Sequence, residues 1–454
     1  MKKIVRMVVY LLAFILPPVV AGLASISSLP KAGSFTVQPS AEQIAGNAKP
    51  PVYDSQKPTV AIMLGDEKTE AIDFMAPYEL FAASESFNVY AIAPEKRATT
   101  LTGGLKVMPH YSYVELDEML KKEPDVIVIP FIPPGSEKGQ QAVRDYLIKH
   151  STEKTILLSI CNGAENLAST GLLDGLSATT HWGDIGGVEK RYPKVNWVRG
   201  LRYVDSGHIV NSSGLSSGID ASLYVIAKFA GEATSNRLAE SINYPTYHFV
   251  NNPEMEQYQL QMSDAYVYLN YAFKMKEPTG VLLYQGMDEL SLITLFDTYA
   301  ATGTTDLITI ANTMEPIRTK HNLYLFAQHD FASAPKVDRM LLAGAEVKEL
   351  ANTDLEHWNS LKTDTEMVYL NANVPDRYVL EPILEDLAKH TDILTAKYAA
   401  RRLEYRGEDM HLGGSFVAFG NVLKPLVIGL LSLLLVIYLD NRFIKKRKSK
   451  RPIN

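Results

Sequence analysis

Short apolar runs alternate with stretches of helical spacing from Pro58 onward. The runs Thr59–Leu64, Asn88–Ala93 and Asp125–Pro130 are continuous and rich in β-branched residues. Runs of this kind predict strands that are buried on both faces. Because strands alternating with helices form parallel βαβ units, the pattern predicts an α/β protein with a doubly wound sheet. The pattern also predicts a hairpin at Arg202–Asn211 and helices at Phe74–Ser84, Tyr113–Lys122, Gln140–His150 and Gly218–Gly231.

The stretch Thr155–Gly175 carries the first candidate for chemistry. An apolar strand runs directly into Cys161, and Asn162 and Gly163 allow a tight turn before a helical pattern begins. A nucleophile at the apex of a strand–turn–helix unit is typical of a nucleophile elbow. A helix N-terminus favours a thiolate, so we expect a pKa below the ordinary value of about 8.5. The alternative is a small buried cysteine that ends a core strand.

Two further residues accompany the cysteine. His181 lies twenty residues beyond Cys161, at the end of a predicted strand Ala178–Trp182. An imidazole there can polarise a thiol or pair with its thiolate. Asp73 precedes a helix that has Pro77 near its first turn. This carboxylate is either an N-cap or a functional group at the carboxyl edge of the sheet, and the two roles are compatible.

Both ends of the chain are strongly apolar. Residues 1–24 combine Lys2, Lys3 and Arg6 with an apolar run, and they predict a signal anchor or a cleaved signal peptide. Residues 422–439 predict a transmembrane helix, followed by a basic tail at 440–454. The positive-inside rule places this tail in the cytoplasm and the body of the protein outside. Residues 25–57, rich in Pro, Ser, Ala and Gly, predict a flexible tether.

The charge and cysteine content narrow the function classes. The chain has 454 residues, enough for two or three domains. Ten of its 45 basic residues lie in the two flanks, so the region between them has about fifteen more acidic than basic residues. This balance argues against a nucleic acid partner, whereas the basic tail fits contact with membrane lipid. A single cysteine excludes an intrachain disulfide, and we expect no metal or cofactor.

A repeat extends the pattern towards the C-terminus. Gly280–Thr302 repeats the strand–loop–helix order of Val60–Ser84, which predicts a shortened second copy of the first domain at 280–410, without the cysteine. No counterpart of the cysteine strand is evident between Gly344 and Asp376. A connector at 246–279 with one helix, Gln261–Met275, joins the copies. A generic α/β domain would imitate this repeat; a true copy would pack on the first as an internal pseudo-dimer.

Four motifs, taken together, resemble the ThiJ/PfpI family of the class I glutamine-amidotransferase-like superfamily. They are Cys161-Asn162-Gly163-Ala164, Gly171-Leu172-Leu173-Asp174-Gly175, Ala178-Thr179-Thr180-His181-Trp182 and Gly214-Leu215-Ser216-Ser217-Gly218-Ile219-Asp220. The likeness covers Pro58–Pro245 and is greatest to the branch of AraC-type regulators and isonitrile hydratases. It implies a flavodoxin-like sheet, Cys161 as nucleophile, Asp73 hydrogen-bonded to the thiol and His181 as the family histidine. Asn162 stands where the PfpI peptidases have histidine, which argues against peptidase activity.

These observations lead to two functional hypotheses. The first is a membrane-anchored, extracytoplasmic hydrolase or hydratase whose Cys161 attacks a small molecule. Asp73 and His181 would move protons, and the N–H of Asn162 or Gly163 would stabilise negative charge. The second is a catalytically silent sensor or ligand-binding module on the same fold, because fold alone does not determine function.

Overall fold

The computed structural model describes residues 2–27, 35–274, 278–362, 364–407 and 410–445. Part of the predicted tether, 28–34, and most of the basic tail, 446–454, lie outside the described residues. The strands are β1 Thr59–Met63, β2 Lys68–Thr69, β3 Asn88–Ala93, β4 Thr99–Leu101, β5 Lys106–Met108, β6 Tyr111–Ser112, β7 Val126–Ile129, β8 Ile156–Ser159, β9 Ser177–Ala178, β10 Asn196–Trp197, β11 Tyr203–Asp205, β12 Ile209–Ser212, β13 Pro278–Leu282, β14 Asp306–Ala311, β15 Ile317–Arg318, β16 Tyr324–Phe326, β17 His329–Asp330, β18 Arg339–Leu342 and β19 Glu366–Tyr369. The α-helices are α1 Lys2–Ser27, α2 Pro39–Asn47, α3 Ala71–Ala83, α4 Tyr113–Leu120, α5 Glu137–His150, α6 Gly163–Ala168, α7 Ile185–Arg191, α8 Leu215–Ala230, α9 Glu232–Ser241, α10 Asp264–Phe273, α11 Glu289–Ala300, α12 Val347–Leu350, α13 Asn352–Leu361, α14 Leu380–His390, α15 Ile393–Arg402 and α16 Phe419–Leu439.

A seven-stranded sheet forms the centre of the first domain. Its order is β11-β12-β8-β7-β1-β3-β6, and every neighbouring pair is parallel except the β11–β12 hairpin. Alternate residues of β1 point into two cores: one is shared with α3 and α8, and the other with α4 to α7. The predicted α/β class and the hairpin are therefore confirmed.

A second parallel sheet lies in the C-terminal half. Its order, β17-β14-β13-β18-β19, matches β6-β3-β1-β7-β8 of the first sheet strand for strand. The prediction that the cysteine strand has no counterpart is wrong, because β19 occupies that place beside β18. The run is short and half-buried, so it lacks the continuous apolar pattern that marks a central strand in the sequence.

Helices α3 and α11 join the two halves through reciprocal caps. The second residue of α3, Ile72, donates its N–H to Asp297 Oδ2 at 3.2 Å, and Asp297 is the ninth residue of α11. The second residue of α11, Leu290, donates its N–H to Glu79 Oε2 at 2.6 Å, and Glu79 is the ninth residue of α3. The two helices thus cap each other with the same register. A local two-fold axis between α3 and α11 therefore relates one helix to the other.

The long-range cap explains where α3 begins. The helix was predicted from Phe74, but it starts at Ala71, so that Pro77 lies inside it. Unpaired N–H groups at a helix start need acceptors, and here Asp297 supplies one from a residue more than 200 positions away. A local sequence pattern contains no sign of such a partner. The predicted strand at Ala178–Trp182 is likewise shorter in the structure, where β9 ends at Ala178, and beyond it the Thr180 hydroxyl donates a hydrogen bond to the Cys161 carbonyl.

A small third sheet also spans both halves. Its order is β15-β16-β5-β4-β2, and β16 of the second half pairs antiparallel with β5 of the first, with Tyr324 opposite Met108. The predicted tether differs here as well, since α2 forms within it. Ala41 and Ala45 of α2 are buried in a cluster with Met108 and Phe326. These small apolar residues, four apart on one helix face, were hidden by the polar composition around them.

The two terminal helices pack against each other. By length and composition alone, Lys3–Ser25 and Phe419–Arg442 are each long and apolar enough to cross a membrane. Asp440 pairs with Arg6 at 3.2 Å and accepts a hydrogen bond from the Tyr10 hydroxyl at 2.7 Å. A Cβ at Gly429 would lie 2.5 Å from the Phe14 carbonyl oxygen, so glycine permits the close approach of α16 to α1.

Candidate functional site

Cys161 occupies a sharp turn between β8 and α6. Its φ angle is 55°, in the left-handed region that residues other than glycine rarely adopt. The preceding Ile160 donates its N–H to the Ile129 carbonyl at 3.0 Å, and a Cβ at Gly163 would lie only 2.0 Å from the same oxygen. Only glycine therefore lets the helix start this close to β7. The elbow geometry predicted from the sequence is present, and Cys161 is 7% exposed.

Asp73 lies near this turn in the first turn of α3. It is buried, and its Oδ2 accepts a hydrogen bond from the Phe131 N–H at 3.2 Å. Its Oδ1 is also buried and has no hydrogen-bond partner among the residues described, so the hydrogen bond to the Cys161 thiol that the family resemblance implies is not present there. Burial raises the pKa of Asp73 well above its usual value, and the neighbouring Glu70 raises it further. This carboxyl group is therefore set to keep its proton to an unusually high pH.

Glu70 is a member of the site that the sequence interpretation missed. It precedes α3 and is near enough to raise the pKa values of both Asp73 and Cys161. Burial raises its own pKa, while Arg402 opposes that shift. The sequence does contain one sign of this role, because Glu70 is a second acid only three residues before Asp73, at the start of the same helix.

The thiol itself differs from the prediction. Burial raises the pKa of Cys161 well above its ordinary value, and Asp73 and Glu70 raise it further. Arg402 and the Asn162 N–H favour the thiolate but are outweighed. The expectation of a lowered pKa is therefore wrong. That expectation rested on the helix N-terminus, which stabilises the thiolate. Two other effects destabilise the thiolate more strongly: its removal from water and the two carboxyl groups beside it.

His181 is buried and engages other partners. Its Nδ1 lies 3.2 Å from Asp184 Oδ2, and its Nε2 lies 3.1 Å from the Arg402 carbonyl oxygen. The hydrogen bond with His181 lowers the pKa of Asp184. No hydrogen bond joins His181 to Cys161 within the described ranges. His181 is linked to Cys161 instead through its neighbour in sequence, Thr180, which donates its hydroxyl to the Cys161 carbonyl at 2.8 Å.

The two predicted backbone donors differ in their availability. The Asn162 N–H faces the thiol, where it favours the thiolate form and so lowers the pKa of Cys161. The Gly163 N–H donates to the Ile160 carbonyl at 2.8 Å, so it is already engaged. The side-chain Oδ1 of Asn162 accepts a hydrogen bond from Thr180 at 2.7 Å. Of the two donors, Asn162 is therefore the better placed to stabilise charge on sulfur or on a bound atom.

Arg402 comes to this site from the second half of the chain. It ends α15, and it lines a cavity of about 900 Å³ together with Glu70, Lys68 and Asp297. Ala21 and Ile428 of the terminal helices line the same cavity. The sequence contained no local sign of this role, because Arg402 lies 241 positions from Cys161 and within an ordinary amphipathic helix.

One group in the described part of the chain has the composition of a metal site. Ligand atoms of Glu79, Glu289 and His321 lie within 4.8 Å of one another. These atoms already have partners, since Glu79 accepts from the Leu290 N–H and Glu289 Oε2 lies 2.7 Å from His321 Nδ1. Glu79 lies in α3 and Glu289 in α11, so the group is part of the contact between these two helices.

Sheet order, elbow and buried acid define an α/β protein with a cysteine at the sharp turn between β8 and α6. Residues 58–228 match the DJ-1/PfpI family, and the chain therefore contains a DJ-1/PfpI family domain. Isonitrile hydratase from Pseudomonas putida is 24% identical over 182 residues, which cover 39% of this chain and 75% of that protein. The HTH-type transcriptional regulator CdhR from Pseudomonas aeruginosa is 32% identical over 99 residues, covering 22% of this chain and 29% of the regulator.

Two solved structures are also similar to part of the chain. A mutant DJ-1 superfamily protein from Salmonella typhimurium has 21% sequence identity and a TM-score of 0.35. The match covers 41% of this chain and 99% of that one. DJ-1beta from Drosophila melanogaster has 17% identity and a TM-score of 0.35, with coverage of 41% and 98%.

Proposed function

We propose that the protein is a cysteine-dependent hydrolase or hydratase that acts on a small molecule. The observation that carries this proposal is the left-handed Cys161 at the elbow, with the buried Asp73 carboxyl beside it. A non-glycine residue in this conformation is strained by about 1–3 kcal/mol and persists only when its surroundings hold it. The similarity to isonitrile hydratase supports this class of reaction.

The charge state of the site suggests how the reaction proceeds. Burial raises the pKa values of both Cys161 and Asp73, which favours the neutral thiol and the protonated carboxyl group in the resting site. Sulfur would attack an electrophilic carbon as Asp73 gives its proton to the substrate atom that gains electrons. The thiol proton then restores the Asp73 carboxyl group. In a hydration, water next adds to the carbon, the carbon–sulfur bond breaks, and sulfur regains one of the protons of that water. In a hydrolysis, the bond between the carbon and its leaving group breaks first, the leaving group departs with the proton that Asp73 gave, and water then releases the product from sulfur in the same way.

A second candidate is a ligand-binding or sensor module. Cys161 is nearly buried and is not among the residues that line the 900 Å³ cavity. A raised thiol pKa also reduces its reactivity. In this case the cavity holds the ligand and the cysteine is structural.

Alkylation of the full chain in detergent separates the two candidates. Intact mass would be followed after iodoacetamide treatment from pH 6 to pH 10, in the wild type and in Asp73→Asn. The enzyme hypothesis predicts a labelling rate that exceeds the global unfolding rate and a pH profile that shifts in Asp73→Asn. Labelling that tracks unfolding and ignores the substitution would leave only the binding module.

We also propose that α1 and α16 form a membrane hairpin, with the body of the protein outside and both termini in the cytoplasm. The Arg6–Asp440 pair and the Gly429–Phe14 approach support a retained α1, since a cleaved signal peptide would leave these partners empty. Basic residues at both flanks agree with this orientation.

An N-terminal epitope tag tests the hairpin directly. The tag should remain attached in membranes, and protease applied to intact cells should digest Pro58–Leu412 while sparing the tag. Gly429→Leu should reduce the thermal stability of the protein in detergent, whereas Gly420→Leu should not, because nothing lies within 4 Å of a Cβ at Gly420. Loss of the tag from the mature protein would contradict a retained α1.

We propose, finally, that the second sheet belongs to a degenerate copy of the first domain. The matching strand order and the reciprocal caps of α3 and α11 support this interpretation. The copy would then act as the partner of an internal pseudo-dimer. Expressed alone, residues 58–245 would expose the apolar face of α3 and self-associate; a monodisperse monomer would contradict this.

A further inference from the structure

The end of α15 is fixed in position by both halves of the protein. His181 Nε2 lies 3.1 Å from the Arg402 carbonyl oxygen, and Trp182 Nε1 donates to the Arg401 carbonyl at 3.2 Å. Two residues of the first domain thus satisfy the last carbonyl groups of a helix of the second. The Arg402 side chain returns to the same place, with Nη1 3.3 Å from His181 Nδ1. His181 and Trp182 therefore hold the Arg402 side chain in position. Both follow Thr180, whose hydroxyl donates to the Cys161 carbonyl.

Arg402 differs from its neighbours in its ion pairs. Arg401 pairs with Asp264, and Arg406 pairs with Glu256. Across the residues described here, Arg402 makes no salt bridge with a carboxylate within 4.0 Å. It is half-buried, and it lines the 900 Å³ cavity beside Glu70 and Asp297. A guanidinium group is always charged and has five N–H donors, so this one is suited to an external anion.

Of the acids near Arg402, Glu70 and Asp297 line the cavity with it, whereas Asp184 lies on the side of His181 and favours the charged form of the guanidinium group. Burial raises the pKa values of Glu70 and Asp297, so both tend to hold protons. Lys68 adds a second cation to the lining of the same cavity. Asp306 also lines the cavity, but protons held on Glu70 and Asp297 leave the wall around Arg402 less negative than its number of acidic residues indicates.

From this geometry we infer that Arg402 binds an anionic group, a carboxylate or a phosphate, on the substrate of the Cys161 site. The inference rests on the proposed function and adds a substrate class, namely small molecules that carry both an electrophilic carbon and an anion. It also gives the second domain a role, because that domain supplies the guanidinium group, which is held at the end of α15. Arg402 acts by positioning the substrate, since it is the anion rather than the reacting carbon that it would contact.

A pair of alkylating agents tests this inference. Iodoacetate and iodoacetamide have the same leaving group, but only the first is an anion. The rate constants for Cys161 would be compared at pH 8.5 in the full chain in detergent. In Arg402→Gln, the ratio of the iodoacetate to the iodoacetamide rate should fall about fivefold or more, because a charge-assisted contact is lost. Arg402→Lys should keep part of the ratio.

Arg406→Gln provides the matched control. It removes an arginine four residues away whose side chain is 44% exposed and already paired, so the ratio should not change. A purely structural role for Arg402 would change both rates equally and leave the ratio at its wild-type value. That outcome would overturn the inference.

Inorganic phosphate supplies a measurement that does not depend on the thiol. Added phosphate should raise the melting temperature of the wild type and of Arg406→Gln above that in sodium chloride of equal ionic strength. Arg402→Gln should lose this difference, and an equal shift in all three proteins would contradict an anion site at Arg402. If neither reagent labels native Cys161, the proposed enzymatic function fails, and the phosphate result alone then decides on Arg402.

Discussion

The reciprocal caps between α3 and α11 allow a quantitative prediction. Asp297→Ala leaves the buried Ile72 N–H without an acceptor, and Glu79→Ala does the same to the Leu290 N–H. An unsatisfied buried donor costs about 1–3 kcal/mol, and loss of a helix N-cap typically costs about 1 kcal/mol. We therefore expect each alanine variant to lower the free energy of unfolding by about 2 kcal/mol. Asp297→Asn and Glu79→Gln keep an oxygen acceptor and should lose less than about 1 kcal/mol.

The same carboxyl groups give the stability a defined pH dependence. Burial raises the pKa values of Glu79 and Asp297 well above their usual range. Above about pH 4 the unfolded chain releases these protons while the folded protein still holds them. Their contribution to stability is therefore full below about pH 4 and is lost as the pH rises through the folded-state pKa. Each group contributes a slope of at most about 1.4 kcal/mol per pH unit in that window.

Urea unfolding of the full chain in detergent, followed by tryptophan fluorescence from pH 5 to pH 8, measures both effects. Trp358 is buried in the second half of the chain, whereas Trp182 and Trp197 lie in the first, so both halves are monitored. Asp297→Asn should be less pH-dependent than the wild type while remaining nearly as stable at pH 8. The reasoning is refuted if Asn destabilises as much as Ala, or if the wild type and Asp297→Asn have the same slope.

Three further predictions concern the elbow and the site. Gly163→Ala should lower the free energy of unfolding by about 3 kcal/mol or more, because its Cβ would clash with the Ile129 carbonyl. Gly186→Ala in α7 should be neutral or slightly stabilising by the same measurement, since nothing lies within 4 Å of its Cβ. Native Cys161 should react with iodoacetamide at pH 7.5 at least tenfold more slowly than free cysteine, and its rate should still be rising at pH 9, because burial and two carboxyl groups raise its pKa; a rate that levels off below pH 8 would contradict this.

The local pattern of apolar and small residues is sufficient to predict the first sheet and the elbow. The continuous apolar runs of β1, β3 and β7 and the small residues after Cys161 determine those elements by themselves. The pattern was insufficient wherever a distant residue decides the outcome. Asp297 sets the start of α3, and Arg402 enters the site from 241 positions away.

The electrostatics of the site could not be predicted for a related reason. The helix N-terminus near Cys161 is visible in the sequence, and it favours a thiolate. The degree of burial and the approach of Glu70 depend on how the two halves pack, and these reverse the sign of the pKa shift. His181 was likewise expected to face the thiol, but Asp184 and the end of α15 hold its ring.

The sheet shared by β5 and β16 has a consequence during synthesis. Met108 of β5 pairs with Tyr324 of β16, and the ribosome adds Tyr324 216 residues after Met108. At about 5–20 residues per second, that interval is roughly 10–40 s. Throughout this time β5 presents an unpaired edge next to the apolar face that later receives α11, so the nascent first domain is exposed to aggregation. A chaperone that covers this edge until β16 emerges would shorten the vulnerable period, and slow translation between the two strands would lengthen it.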